Sequence, residues 1–191
     1  MIEQQLPVIN FTPFPTLETN RFVLRRVTTS DVNEVFALRS DPEIMRYIAR
    51  PLAKTTQDTL DFLAMLDKGL EDNDFINWAI CFKEDPKLIG MICLIGFQPE
   101  NFRTEVGYIL SPDYRQMGIM AEAMDAVVAY TFDTLNFHSL QAVIAPENLA
   151  SERVLLRKGF VKEAHFKECR YWNGEFLDDA VYTLHRASLG I

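Results

Sequence analysis

Apolar and polar positions recur along this chain with two different periods, and the changes of period mark its elements. From Arg21 to Val27 (RFVLRRV) apolar and basic residues alternate, the signature of a first strand. Ser30 or Asp31 then offers a cap for a short helix through Arg39, and Asp41-Pro42 is a cap-plus-proline start for another. Thr55 to Glu71 carries Leu60, Leu63, Leu66 and Leu70 at roughly helical spacing and predicts the first long helix. Strand character follows. Phe75–Phe82 and Leu88–Phe97 flank a polar turn, Lys83-Glu84-Asp85-Pro86-Lys87, and Thr104–Leu110 is a third strand stopped by Ser111-Pro112. A second long helix is predicted from Ile119 to Leu135, because Met120, Met124, Val127, Val128, Thr131, Phe132 and Leu135 fall on one face. Leu140–Ala145 reads as a strand and Asn148–Lys158 as a helix. Two last strands bracket Asn173-Gly174, the strongest short hairpin signal in the chain.

This order predicts an α+β (mixed α/β) fold with a single twisted sheet and helices on both faces. Residues 1–16 contain Pro7, Pro13 and Pro15 and show no period, so they are expected to be an extended lead-in, loose or wrapped over the single domain 17–191. A length of 191 residues suits one domain, and an apolar share of 48% excludes a disordered chain. The net charge of −8 and the lack of any basic run argue against a nucleic-acid partner. Cys81, Cys93 and Cys169 form no C-x-x-C pair, so neither a zinc ribbon nor a disulfide framework is expected, and no metal. The N-terminus has no signal-peptide pattern, and the longest apolar stretch, around Leu88 to Phe97, is too short for a membrane span. A cytoplasmic protein with no membrane partner is the expectation.

The segment richest in chemistry is Glu105–Ala123, EVGYILSPDYRQMGIMAEA. A strand ends at a proline, a short loop carries Arg115 and Gly118, and an amphipathic helix begins at once. Backbone N–H groups and the positive end of the helix dipole then converge on one spot, which suits a phosphate. Read locally, the same segment is equally a plain strand-to-helix connection with glycine as its turn residue. The P-loop string, G-x-G-x-x-G, H-E-x-x-H and G-x-S-x-G are all absent, and His138, His165 and His185 are isolated. A second segment, residues 146–160 (PENLASERVLLRKGF), places Asn148 as an N-cap and closes its helix at Lys158-Gly159.

Together the two segments resemble the GNAT superfamily of acyl-CoA-dependent N-acetyltransferases. There a loop of the form R/Q-x-x-G-x-G/A cradles the CoA pyrophosphate; here it is Arg115-Gln116-Met117-Gly118-Ile119-Met120, with Met120 in the place of Gly or Ala. The downstream N-x-x-S/A…G-F element is Asn148, Ser151, Gly159 and Phe160. The resemblance runs from about Leu17 to Arg186. It is nearest to the RimJ/RimL-like branch, which includes ribosomal-protein N-terminal acetyltransferases, on TLETNRFVLRRVTTSD, WAICFKEDPKLIGMICLIGF and WNGEFLDDAVYTL.

The resemblance implies a largely antiparallel sheet splayed between the Thr104–Leu110 and Leu140–Ala145 strands. Ser111-Pro112 is expected to stop the pairing there, leaving backbone around Ile109 and Leu110 for pantetheine amides. It also implies acetyl-CoA as cosubstrate and direct attack by a primary amine in a ternary complex. The acceptor would be a protein N-terminus, a polyamine or another small amine, and the protein a monomer or homodimer. Glu105, in an otherwise apolar strand, is the candidate base, acting through water or directly. A rim ion pair with Arg103 is its bland alternative, and a bulge in this strand would change its phase. Ser151 is the candidate hydrogen-bond donor to the departing thiolate. Asn148 would orient pantetheine or a water, or simply cap its helix. Arg115 is the favoured phosphate cation, with Arg153, Arg157 and Lys158 as further candidates. Tyr47, Tyr171 and Trp172 are expected to shape the acceptor pocket. Leu155 stands where many relatives carry an acid tyrosine, which leaves room for a rival role as a CoA-binding sensor without catalysis.

Overall fold

Eight strands form one sheet in the order β1-β2-β3-β4-β5-β6-β8-β7 in the computed structural model, which describes residues 6–190. The strands are β1 (Leu17–Glu18), β2 (Phe22–Arg26), β3 (Ile76–Phe82), β4 (Asp85–Gln98), β5 (Arg103–Leu110), β6 (Ser139–Ile144), β7 (Val161–Trp172) and β8 (Glu175–His185). Every neighbouring pair is antiparallel except β5 and β6. The helices are α1 (Val32–Ser40), α2 (Pro42–Met45), α3 (Thr56–Glu71), α4 (Ile119–Ala129) and α5 (Leu149–Arg157). The expected α+β architecture is therefore the observed one.

The two faces of the sheet bury separate cores. Ile119, Met120, Ala123, Met124 and Val127 of α4 and Leu155 of α5 pack on Leu24, Trp78, Ile92, Val106 and Tyr182. On the other face Val35 and Leu38 of α1 and Leu63 and Leu66 of α3 pack on Ala79, Cys81 and Met91. The period-2 alternation of each strand is what feeds both cores at once. Thr55, expected as the first residue of the helix, is instead the cap of α3, its hydroxyl accepting from the Asp58 N–H while the Asp58 carboxylate accepts from the Thr55 N–H.

Residues 6–16 contain no regular element and are wrapped over the body. Phe11 is buried against Phe97 and its N–H donates to Asn73 Oδ1 at 2.9 Å; Phe14 packs edge-on to Trp78, whose Nε1–H donates to the Pro15 carbonyl at 2.7 Å. Residues 1–5 of the expected lead-in, and Ile191 at the far end of the expected domain, lie outside the described residues. Among the described residues, no helix is long and apolar enough to cross a membrane.

Three local expectations are corrected. The turn between β3 and β4 is Lys83-Glu84 alone, since Phe82 pairs with Asp85; polar Asp85–Lys87 belong to an exposed strand end. The second long helix leaves α geometry at Tyr130 and finishes in a π-turn, Tyr130–Thr134, in which Leu135 N–H reaches the Tyr130 carbonyl at 3.0 Å. The Thr131 hydroxyl bonds the Val127 carbonyl at 2.7 Å and competes for the α-helical acceptors of this turn. The splay, third, does not begin at Ser111-Pro112.

Candidate active site

Pairing between β5 and β6 is limited to Arg103–Ser139, Thr104–Leu140 and Glu105–Gln141. Beyond Glu105 the strands part. β5 stays registered on β4 out to Leu110, and β6 stays registered on β8 out to Ile144. The backbone groups of Val106, Tyr108 and Leu110 on the edge that faces β6 thus have no strand partner, while those of Ile109, like the Ser111 N–H, point to β4. Ser111 N–H still bonds the Ile89 carbonyl at 3.0 Å, so Pro112 ends the chain's run beside β4 and has no part in opening the sheet. Tyr108 stands at the opening instead. Its hydroxyl donates to the Ser151 carbonyl at 3.4 Å, and burial pushes the phenol up to about 12.

The register Gly90–Leu110 through Ile95–Glu105 is unbroken, so β5 carries no bulge over Glu105–Leu110. The extra residue sits on β4, between Ile95 and Gln98, where Gly96 has φ +59°. The predicted alternation therefore stands. Val106, Tyr108 and Leu110 face α4, and Ile109 faces the α1–α3 core. Glu105 and Gly107 share the face of Ile109. The Glu105 carboxyl is held above its ordinary value, first by burial and then by Asp179, against an opposing pull from Arg170. Arg103, the alternative partner, donates from Nη2 to Gln98 Oε1 at 3.0 Å. Cys93, across from Gly107, bonds its carbonyl through Sγ at 3.4 Å, and burial pushes this thiol to about 12.

At the mouth of the splay lies the loop into α4. Gln116 and Gly118 both adopt left-handed backbone, φ 64° and 72°. None of the N–H groups from Gln116 through Ala121 donates to any of the described residues; the first helical bond is Glu122 N–H to the Gly118 carbonyl, 3.1 Å. A row of unpaired donors at a helix N-terminus is a binding site for anionic oxygen. The side chains of Ile119 and Met120 are buried in the α4 core, so these residues offer only backbone to a ligand. That explains why methionine is acceptable at Met120: its side chain points into the protein. A Cβ at position 118 would meet Arg21 Nη2 at 3.6 Å, which is ordinary contact, so glycine is required by φ and not by space.

Two residues missed by sequence reasoning brace this loop. Arg21 donates to the Met117 carbonyl at 3.1 Å and pairs with Glu122 at 2.8 Å, and Glu122 also accepts from the Arg21 N–H and the Thr19 hydroxyl. Burial pushes the Glu122 carboxyl up, but these hydrogen bonds outweigh it and hold the group below its ordinary value. A carboxylate in the first helical turn would repel a bound phosphate; Arg21 neutralises it. Arg115 is exposed and enters no ion pair with the described residues. Lys158 is engaged by Asp125 at 2.6 Å, which removes it from the free cations, while Arg153 and Arg157 are exposed.

On the other side of the splay, Asn148 Oδ1 caps α5 by accepting from the Ser151 N–H at 3.1 Å, and Ser151 is half-buried. Leu155 is fully buried in the core, so the position of the family tyrosine is filled by packing. The aromatic residues expected around the acceptor come from two places in the chain, the segment after α2 and the end of β7. Tyr47 is half-buried beside the Arg46 guanidinium, 5.4 Å from its ring centre. Tyr171 is 66% exposed on the β7–β8 hairpin and packs on Phe176, and Trp172 lies at the hairpin tip opposite Glu175. An open concavity of about 490 Å³ lies elsewhere, along β2, and its arginines Arg25 and Arg26 are already paired with Asp31 and Asp67. Among the described residues no cluster of three or more His, Cys, Asp or Glu is placed to hold a metal ion.

This geometry fits acetyl-CoA: a pyrophosphate needs the donor row at the start of α4, and a pantetheine arm needs the free edge of β5. Comparison with known proteins agrees. The family model for the acetyltransferase (GNAT) domain matches residues 21–161. The uncharacterised N-acetyltransferase YoaA of Bacillus subtilis (strain 168) is 31% identical, over 90% of this chain and 97% of its own length. The ribosomal-protein-serine acetyltransferase of Escherichia coli (strain K12) is 27% identical over 59% of this chain and 63% of its own. A spermidine N(1)-acetyltransferase of Vibrio cholerae is 25% identical over 83% and 90%. Among solved structures, a GNAT-family acetyltransferase from Bacillus anthracis superposes with a TM-score of 0.80 at 26% identity, covering 90% of this chain and 98% of that one. The chain belongs to the GNAT family and is an acetyl-CoA-dependent N-acetyltransferase.

Proposed function

We propose that this protein acetylates a primary amine, a protein N-terminus or a small cationic amine such as a polyamine, by direct attack in a ternary complex. The observation that carries the reading is the splay itself, with unpaired backbone donors at its mouth and the buried-side carboxylate of Glu105 at its base. Bound acetyl-CoA supplies the activated acetyl thioester. Gln116–Ala121 hold the pyrophosphate through backbone N–H groups, aided by Arg115, and the free edge of β5 at Tyr108 and Leu110 bonds the pantetheine amides, with Ile109 between them held on β4. Glu105 takes the proton from the acceptor nitrogen, directly or through a water, so that the nitrogen lone pair is free. Its raised proton affinity suits this work, because a base near its operating pH is most effective. Ser151 donates its hydroxyl to the leaving sulfur, and Asn148, fixed by its cap bond, orients the arm beside it. Tyr47, Tyr171 and Trp172 line the acceptor approach.

The two acceptor classes correspond to the two kinds of relative named above. The acidic surplus of the chain favours a cationic acceptor through long-range steering. One observation favours a second reading, a CoA-binding module without turnover: Leu155 leaves no tyrosine acid in α5. Thiol release from acetyl-CoA, measured with N-terminal peptides, polyamines and aminoglycosides, separates the two. Turnover on one of these amines, reduced about 10²–10⁴-fold in Glu105→Gln, is the expected result. CoA binding without turnover on any of them would overturn the enzyme reading.

A further inference from the structure

The hairpin beyond the splay carries a charged unit that none of the roles above uses. Ala180, Tyr182 and Leu184 of β8 pack in the α4–α5 core, so the alternate residues Asp179, Val181 and Thr183 face the opposite side, the side of Glu105. Asp179 is buried and is clamped by Arg170: Nε lies 2.9 Å from both carboxylate oxygens and Nη2 lies 2.6 Å from Oδ1. How Arg170 gets there is a matter of register. Phe166 pairs with Asp179, so a regular antiparallel ladder would place Glu168 opposite Leu177, diagonal to Asp179 and of like charge. Instead β7 bulges between Phe166 and Arg170, Glu168 takes φ +49°, and Arg170 pairs with Leu177. The bulge is fastened by Asp178, which accepts from the Glu168 N–H at 2.8 Å and bonds His165 Nε2 at 2.7 Å. The bulge thus replaces a carboxylate with a guanidinium beside Asp179.

We propose that Asp179 and Arg170 are positioning residues that act through Glu105: the bulged hairpin holds a carboxylate and its guanidinium clamp on the base's face of the sheet, across the splay from it, and together they set when it can accept the acceptor's proton. This rests on the reading of Glu105 as base. The neighbours of Glu105 within the sheet are these. On β4 its partner is Ile95 and the nearby Cys93 thiol stays protonated; on β5 Arg103 is bonded to Gln98; on β6 its partner is the neutral Gln141. On β7 Glu163 is bonded to the Thr183 hydroxyl and to His185. Asp179 and Arg170 are the charges that bear on Glu105, with opposite signs: the carboxylate raises its proton affinity and the guanidinium lowers it.

Opposite signs make the test decisive. The carboxyl carbon of Glu105 is titrated by NMR in glutamate-labelled protein, its signal assigned by its loss in Glu105→Gln. Asp179→Asn is expected to move the Glu105 midpoint to lower pH and Arg170→Gln to higher pH, while Arg170→Lys, which keeps the charge, stays near wild type. The acid limb of kcat, measured with saturating amine, should follow the same two directions. Two midpoints that move together, or neither moving, would overturn the inference, since an ion pair too distant to act on Glu105 predicts no opposed shifts. Unchanged turnover in Glu105→Gln would remove the base, and this role with it.

Discussion

Replacing Gly118 by alanine isolates what the CoA loop demands of its backbone. The residue sits at φ 72° and ψ 8°, in the left-handed region. The added methyl would have 3.6 Å to its nearest neighbour, Arg21 Nη2, so no clash contributes. What remains is the left-handed cost of an L-residue, about 1–2 kcal/mol. For a chain of this size 1 kcal/mol corresponds to a Tm shift of about 2–4 °C, so thermal unfolding should fall by about 2–8 °C. If the loop relieves this cost by turning its peptide units, the N–H groups leave their common focus. Affinity for CoA, measured by calorimetry, is then expected to fall about tenfold or more, since each 1.4 kcal/mol is a factor of ten. Gly118→Ala with unchanged Tm and unchanged CoA affinity would refute the reasoning. A lower Tm with intact binding would leave Gly118 as a turn residue only.

Three other outcomes follow from the same geometry. Asp31 is buried under a two-point bond from Arg25 and a bond from the Thr28 N–H. Asp31→Asn should cost about 2 kcal/mol in urea unfolding at neutral pH, less than the roughly 3–5 of a fully buried pair, because the Arg25 side chain keeps 26% exposure. Burial raises the Asp31 carboxyl but the Arg25 and Thr28 bonds prevail and lower it, so its contribution is present above the unfolded value near ~3.9 and is lost as pH falls through the folded one. The gap between wild type and variant should therefore close on acidification. Ser151→Ala should lower kcat by about 10²-fold with little change in KM for acetyl-CoA, because its N–H still takes the Asn148 cap. The acid limb of kcat at saturating amine should lie above the ordinary glutamate range near ~4.3, since burial and Asp179 raise Glu105 and the base works only when deprotonated.

The elements legible in the sequence are those whose signal is local. Asp41-Pro42 starting α2, the hairpin at Asn173-Gly174 and the apolar stripe of α4 each state their structure within a few residues. The stripe could not reveal the π-turn at Tyr130–Thr134, because one wider turn keeps the same residues on the same face. Gly118 and Asn148 were legible for the same local reason. Arg21 and Glu122, 101 residues apart, and Arg170 with Asp179, joined through a bulge, depend on contacts that no spacing rule encodes. The start of the splay at Glu105 was equally hidden. Ser111-Pro112 is a visible break, but the pairing ends six positions before Ser111, at Glu105, and Tyr108 then rises toward α5.

The central claim is that acetyl-CoA lies in the splay with its pyrophosphate on the backbone of Gln116–Ala121. A titration of ¹⁵N-labelled protein with CoA, followed at each backbone amide, tests it most directly. The account predicts the largest changes at Gln116–Ala121, a second set along Val106–Leu110, and protection of those amides from hydrogen exchange. Changes clustered elsewhere, for instance along β2, with the Gln116–Ala121 amides unmoved at saturation, would contradict it.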